Sequence, residues 1–257
     1  MTIKLFTFLL IFAILFSCLP CAFAEPKLDL SAKSAILMVA DTSEILYEKN
    51  AHERLPMAST TKIMTSLIAL QSDYLQKEIV VSSDMILVEG TSMGLLENDR
   101  VTLKALVYGM MLKSGNDAAN AVALTNSDSI SEFTRLMNEK AKELNMYNTN
   151  FETPSGLDSK NHYSTAYDMA RLSCEAIKNP LFAYICSAKE KALYYGNPPY
   201  RRTLKSHNRL LWDYDGADGI KTGFTKKSGR CLVSSVTRNG VKLIAVTLNA
   251  PQRLARP

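Results

Sequence analysis

Cysteine and histidine are scarce in this 257-residue chain, which has five cysteines and three histidines. Three cysteines lie outside the apolar N-terminus, Cys174, Cys186 and Cys231, and their spacings match no zinc motif. We expect three buried thiols; one disulfide plus a free thiol is the alternative. The histidines are scattered among turn-like residues, so neither a metal site nor a cofactor is expected.

Strong charge of one sign is also lacking, because the net charge is only +5 and no basic run with interleaved aromatic residues occurs. Nucleic acid is therefore not an expected partner. The chain is 47% hydrophobic and 21% charged, which is typical of a globular protein that can bury a core. Its length fits one domain, or one domain with a small lobe. The composition gives no indication of the oligomeric state.

The longest apolar run, residues 5–19, is shorter than the roughly 20 residues that a membrane span needs. Lys4 precedes this run, and Ala22-Phe23-Ala24 follows it as a small-residue cleavage pattern. This layout predicts a secretory signal peptide at residues 1–24 and a mature domain at 25–257. We expect export to the cell wall or periplasm, with a retained N-terminal anchor as the alternative.

Strand patterns occur at both ends of the chain and helical patterns in the middle. The predicted strands are residues 34–39, 44–48, 219–223, 230–236 and 241–248, and Asn239-Gly240 is a strong hairpin-turn signal. Helical spacing occurs over residues 59–70, 102–111, 118–124 and 129–144, and a further helix capped by Ser164 or Thr165 runs to Lys178. The pattern predicts an α+β fold: an antiparallel sheet of about five strands built from both chain ends, with an inserted all-helical lobe.

Ser59 and Lys62 form the only Ser-x-x-Lys pair in the chain. Residues i and i+3 of a helix share a face, so the hydroxyl and the amine can meet. A lysine held neutral by burial or by nearby cations can activate a serine nucleophile. An ordinary helix start with an exposed lysine is the alternative interpretation of this pair alone.

Two further short motifs follow, Ser114-Gly115-Asn116 and Lys221-Thr222-Gly223. Neither is unique as a pattern, and alone each predicts only a turn or an exposed strand residue. Lys221 is distinguished because it lies on a predicted strand at the sheet edge. No serine lies in a G-x-S-x-G sequence, so a nucleophile elbow is not predicted. The order and context of the three motifs therefore carry the catalytic interpretation.

The three motifs together resemble those of serine-type D-alanyl-D-alanine carboxypeptidases, the low-molecular-mass penicillin-binding proteins. The similarity covers roughly residues 26–250 and includes Pro154-x-Gly156-Leu157 and the stretch from Tyr163 to Ala170. It implies a β-lactamase/transpeptidase-like fold. It also implies stem peptides ending in D-Ala-D-Ala as substrates and β-lactams as inhibitors.

The resemblance also implies a role for each motif residue. Ser59 would be the nucleophile and Lys62 the general base, Ser114 would relay a proton, and Asn116 would orient Lys62 and contact the substrate. Lys221 and Thr222 would bind the terminal carboxylate, and Gly223 would let the substrate backbone approach the strand. The backbone N–H groups of Ser59 and Phe224 would form the oxyanion hole. Asp117, Tyr163, Asp168 and His162 are expected to serve structural roles.

Members of this family usually continue past the last predicted strand with a helix, a β-rich domain and a membrane anchor. This sequence ends at Pro257, so we expect a form without them, in which one sheet face lacks its cover. A β-lactamase is one alternative, but the Glu-x-x-Leu-Asn pattern of class A enzymes is absent, since Glu143-Leu144-Asn145 is too short. A non-catalytic penicillin-binding module, or a truncated remnant, is the other.

Overall fold

One five-stranded sheet joins the two ends of the chain in a computed structural model, which describes residues 28 and 30–251. The chain divides into two units, Met1–Leu30 and Ser31–Pro257, and every element below belongs to the second. The sheet strands are β1 (Ser34–Val39), β2 (Ile45–Lys49), β7 (Ala217–Thr225), β8 (Gly229–Arg238) and β9 (Val241–Ala250). They pair antiparallel in the order β2-β1-β9-β8-β7. The predicted sheet from both chain ends is confirmed, and β7 lies at its edge.

The turn between β8 and β9 follows from its two residues. Asn239 and Gly240 have φ values of 49° and 79°, as a two-residue hairpin turn with left-handed backbone requires. On one face of the sheet, Val233 and Val246 are fully buried. Their neighbours Ser234 and Ala245 on the other face are partly exposed, which is the alternation of a sheet packed on one side.

The inserted region is mainly helical. A 3-10 turn (Ala58–Thr61) leads into α1 (Lys62–Leu70); the helices that follow are α2 (Ser83–Ile86), α3 (Leu103–Lys113), α4 (Asn116–Asn126), α5 (Ile130–Glu143), α6 (Ala166–Ala176), α7 (Pro180–Cys186) and α8 (Leu210–Asp213). Three longer helices begin at side-chain caps, since Thr102, Ser129 and Thr165 each accept a hydrogen bond from the backbone N–H three residues on. The predicted helix starts are therefore close to the observed ones.

Two short ribbons modify the predicted all-helical lobe. Strand β3 (Glu78–Val80) pairs with β4 (Arg100–Thr102), and β5 (Glu190–Gly196) pairs with β6 (Pro199–Lys205). The second ribbon escapes sequence prediction because its apolar residues run consecutively from Ala192 to Tyr195 instead of alternating.

Cys174, Cys186 and Cys231 are free and buried, which confirms the prediction of three buried thiols. Within the described residues, no group of three metal-binding side chains is found. In that same part of the chain, every helix is too short or too polar to cross a membrane. The predicted signal peptide lies outside the described residues.

Candidate active site

Ser59 lies in the 3-10 turn that precedes α1. Ala58, just before it, has a left-handed backbone with φ of 48°, which is uncommon for a residue with a Cβ and occurs often at functional sites. The Thr61 hydroxyl closes the turn by donating to the Ala58 carbonyl at 2.8 Å. Lys62 is the first residue of α1, so its side chain lies on the same face as the Ser59 hydroxyl.

Lys62 is the centre of the site. Its Nζ lies 3.0 Å from Ser59 Oγ, 2.7 Å from Asn116 Oδ1 and 2.5 Å from the Ser155 carbonyl oxygen. Burial lowers the pKa of Lys62 well below its usual value, and the positive charge of Lys221 lowers it further, whereas Asp117 opposes the shift. The pKa direction favours the neutral amine that a base requires.

The three partners of Lys62 decide how a neutral amine would be oriented. The Asn116 amide oxygen and the Ser155 carbonyl can only accept hydrogen bonds. They would therefore take the two N–H bonds of the neutral amine. Its lone pair then faces Ser59, whose hydroxyl is the one partner of the three that can donate. This geometry suits the removal of a proton from Ser59.

Lys221 lies on the edge strand β7 and is also buried. Its Nζ donates to Ser114 Oγ at 3.1 Å and to the Thr222 carbonyl at 2.8 Å. Ser114 ends α3 with a left-handed backbone, φ 59°. Burial lowers the pKa of Lys221 to about 7. A bound anion would favour the charged form of this amine.

Asn116 is held in its orientation by the loop that precedes β4. Its Nδ2 donates to the Glu89 carbonyl at 2.7 Å, so its Oδ1 faces Lys62. The neighbouring Asp117 accepts from the backbone N–H groups of Met93 at 2.9 Å and Ala118 at 2.8 Å. Asp117 therefore lies in the first turn of α4 and ties the loop to that helix, in agreement with its expected structural role.

Gly223 brings β7 against the 3-10 turn that carries Ser59. A Cβ on Gly223 would lie 3.0 Å from the Ser59 backbone nitrogen and 3.1 Å from the Met57 carbonyl oxygen. The residue therefore has a packing reason to be glycine, besides the expected approach of a substrate. Phe224 follows with its side chain 51% exposed, and the Arg230 guanidinium carbon lies 5.9 Å from its ring centre.

Direct hydrogen bonds link Lys62 to Ser59 and Asn116, and Lys221 to Ser114. Thr222, Gly223 and Phe224 follow Lys221 along β7. All eight predicted site residues thus lie on the elements that build this site: the 3-10 turn with α1, the junction of α3 and α4, and β7.

The Ser155 carbonyl is the site group that sequence reasoning missed. The next residue, Gly156, has φ of 86°, and a Cβ there would lie 2.0 Å from the Ala58 carbonyl oxygen. The Thr65 hydroxyl donates to the Pro154 carbonyl at 2.6 Å. The loop at residues 154–156 therefore packs closely against the 3-10 turn that carries Ser59 and against α1. The only sequence signal was the Pro154-x-Gly156-Leu157 match.

Tyr163 and Asp168 lie in structural contacts. The Arg54 guanidinium lies 5.1 Å from the Tyr163 ring centre. Asp168 accepts from the Asn148 backbone N–H at 2.9 Å and the Thr149 hydroxyl at 2.7 Å. Both agree with the expectation that these residues support the fold.

A family model described as D-alanyl-D-alanine carboxypeptidase, peptidase S11, matches residues 21–252. The chain belongs to this family. Among relatives, D-alanyl-D-alanine carboxypeptidase DacF of Bacillus subtilis is 37% identical over 260 residues, which cover 96% of this chain and 66% of that protein. D-alanyl-D-alanine carboxypeptidase DacC of Escherichia coli is 36% identical over 93% of this chain and 62% of its own length.

The fold of the family is also seen in the crystal structure of a Streptomyces DD-transpeptidase, which matches with a TM-score of 0.84 and 30% identity. The match covers 88% of this chain and 93% of that one. The predicted fold class and the resemblance are therefore confirmed. The chain spans 66% and 62% of the length of the two curated relatives above.

Proposed function

We propose that this protein is a serine-type D-Ala-D-Ala carboxypeptidase that removes the C-terminal D-alanine from peptidoglycan stem peptides. The observation that carries the proposal is the set of three partners around Lys62, which leaves its lone pair to Ser59. Membership of the S11 family supports the same conclusion.

In the proposed acylation step, Ser59 Oγ attacks the carbonyl carbon of the penultimate D-alanine while Lys62 Nζ takes the hydroxyl proton. The backbone N–H groups of Ser59 and Phe224 would bind the oxyanion that develops, at roughly 3 kcal/mol per donor. The C–N bond then breaks, and the leaving amine of D-alanine takes a proton delivered through Lys62 and Ser114. Water hydrolyses the resulting ester, which restores Ser59.

The terminal carboxylate would bind at β7. Lys221 supplies a cation and Thr222 a hydroxyl, which is a pair suited to a carboxylate. Lys221 already donates to Ser114, so this cation also touches the proposed proton relay. A β-lactam carries a comparable carboxylate and an acylating carbonyl, so we expect β-lactams to acylate Ser59 as inhibitors.

The proposed substrate lies outside the cytoplasm, and this agrees with the export signal predicted at residues 1–24. We therefore propose that the mature protein acts at the cell wall or in the periplasm. Sequencing of the N-terminus of protein recovered from the producing cells tests this: a start at Glu25 supports cleavage, and a start at Met1 contradicts it.

A class A β-lactamase would need a carboxylate that activates the deacylating water. Glu152 lies in the same loop as Ser155, but its carboxylate accepts hydrogen bonds from the Ser159 hydroxyl and the Asn161 backbone N–H. Both hydrogen bonds go to one carboxylate oxygen, Oε2, which is thus engaged within the loop. We therefore expect a long-lived acyl-enzyme with penicillin.

Release of D-alanine from a peptide ending in D-Ala-D-Ala, with Ser59→Ala as the control, tests the proposal. We expect release by the wild type, none by the variant, and a penicillin adduct on Ser59 that is visible by mass spectrometry. Rapid penicillin turnover would indicate a β-lactamase instead. A stable adduct without alanine release would leave a penicillin-binding module.

A further inference from the structure

His162 lies between the Ser155 loop and the Ser59 turn and is only 4% exposed. Its Nε2 is 2.8 Å from Thr61 Oγ1. Its Nδ1 is 2.9 Å from the Glu152 backbone nitrogen and 3.4 Å from that of Thr153. One imidazole ring thus touches both segments that contact Lys62 and Ser59.

The partners of His162 identify its tautomer. Backbone N–H groups only donate, so Nδ1 accepts from Glu152 and carries no proton. The Thr61 hydroxyl gives its own proton to the Ala58 carbonyl at 2.8 Å, so it accepts from His162 Nε2–H. The ring is therefore neutral and protonated at Nε2.

We propose that His162 is a positioning residue, whose neutral ring fixes the Ser155 carbonyl relative to the Ser59 turn and thereby aims Lys62 at Ser59. The inference rests on the proposed roles of Ser59 and Lys62. Few bonds separate His162 from Lys62. His162 accepts from the backbone nitrogens of Glu152 and Thr153. Ser155, two residues after Thr153, accepts from Lys62 Nζ at 2.5 Å. At the other end His162 holds Thr61, which is adjacent to Lys62.

The charged groups around His162 keep the ring neutral. The pKa of His162 is lowered to about 4, chiefly by burial; Glu152 opposes this shift, and Lys227 and Lys62 add to it. A proton on Nδ1 would also face the N–H groups of Glu152 and Thr153, which leaves three donors and no acceptor. The bridge is thus intact at neutral pH and breaks only as the pH falls to about 4 and below.

The first test compares His162→Ala with His162→Gln, with His52→Gln as a surface control because His52 is exposed. We expect His162→Ala to slow the acylation of Ser59 by penicillin about tenfold to hundredfold, since small displacements of reacting groups have effects of this size. Initial noncovalent binding should change less. The glutamine side chain carries an acceptor oxygen and a donor NH2 group, so it should restore part of the rate, and His52→Gln should match the wild type.

A double-mutant cycle separates positioning from general loosening of the fold. If His162 acts through Thr61, the variant with both His162→Ala and Thr61→Val should be no slower than the slower single variant. Thr60→Val is the matched control, because the Thr60 hydroxyl donates to the Met57 carbonyl at 2.6 Å in the same turn. The loss of acylation rate caused by Thr60→Val should add to that caused by His162→Ala. If the losses caused by Thr61→Val and His162→Ala also add, the proposal is overturned.

The tautomer is tested without any activity, by ¹⁵N spectra of the histidine rings of wild-type protein. We expect an unprotonated Nδ1 and a protonated Nε2 for His162 at pH 7. A protonated Nδ1 at that pH would overturn the proposal, as would a folded His162→Ala variant that is acylated as fast as the wild type. If wild-type protein fails to react with penicillin, the proposed function fails, and the spectra still decide the state of His162.

Discussion

Lys62 and Lys221 are both buried in the candidate site, but their hydrogen-bond partners differ. Lys62 contacts two groups that can only accept, Asn116 Oδ1 and the Ser155 carbonyl, and one hydroxyl, Ser59. Lys221 contacts one hydroxyl, Ser114, and the carbonyl of the next residue on its own strand. Lys62 therefore has one more acceptor-only partner.

This difference supports the different tasks proposed for the two lysines. The pKa of Lys62 is lowered by burial and by the charge of Lys221, whereas that of Lys221 is lowered by burial. A carboxylate bound at Lys221 would favour the charged ammonium there. The charge on Lys221 would help to keep Lys62 neutral, and the bound carboxylate would oppose this effect. Lys221 would thus mainly hold the substrate, whereas Lys62 would take the proton of Ser59.

The largest expected effect is that of Lys62→Met. General-base catalysis contributes about 10²-fold to 10⁴-fold, and we expect the acylation of Ser59 by penicillin to slow by about 10³-fold or more. The measurement is the pseudo-first-order rate of adduct formation, with circular dichroism to establish folding. A variant that reacts within tenfold of the wild type would show that Lys62 is not the base.

A smaller loss is expected for Lys221→Gln, about 10²-fold in kcat/KM for the D-Ala-D-Ala peptide, because a charge-assisted hydrogen bond to the carboxylate is lost. The variant should also shift the acidic limb of the plot of acylation rate against pH. Acylation needs neutral Lys62, so its rate falls as the pH falls through the pKa of Lys62. Without the Lys221 charge this pKa rises, and the limb shifts to higher pH. A limb that stays in place would contradict the coupling of the two lysines.

Side-chain chemistry and local periodicity are sufficient to predict the main elements of the fold and most residues of the candidate site. Motif order predicts Ser59, Lys62 and Lys221 as site residues, and the apolar spacing that follows Thr102 predicts a helix start there. The Ser155 oxygen was missed because a main-chain carbonyl is available at every residue and has no signature of its own. Its position depends on how residues 152–157 pack against the Ala58 turn.

The positioning role proposed for His162 is not predictable from the sequence for a related reason. A buried histidine that supports a loop and one that aims a catalytic group have the same neighbours in sequence. Only the contacts with Thr61 and with the Glu152 backbone nitrogen separate the two. The contact with Thr61 joins residues 101 positions apart, and no short motif encodes it.

The smallest expected effect is on stability, and it tests whether Lys221 is neutralised by burial. The pKa of Lys221 is about 7 in the folded protein against an ordinary value of 10.5. Between these values the unfolded chain binds more protons, so the free energy of unfolding should rise with pH. One lysine contributes about 1.4 kcal/mol per pH unit at most.

Lys221→Met removes this contribution, so its free energy of unfolding should rise less between pH 7 and pH 9 than that of the wild type. Urea unfolding at the two pH values measures the difference. The other titrating groups are present in both proteins, so their contributions cancel in the comparison. Equal pH dependence would mean that Lys221 keeps its proton in the empty site. Lys221 would then be charged before the substrate binds, and the substrate carboxylate would bind an existing cation instead of promoting its protonation.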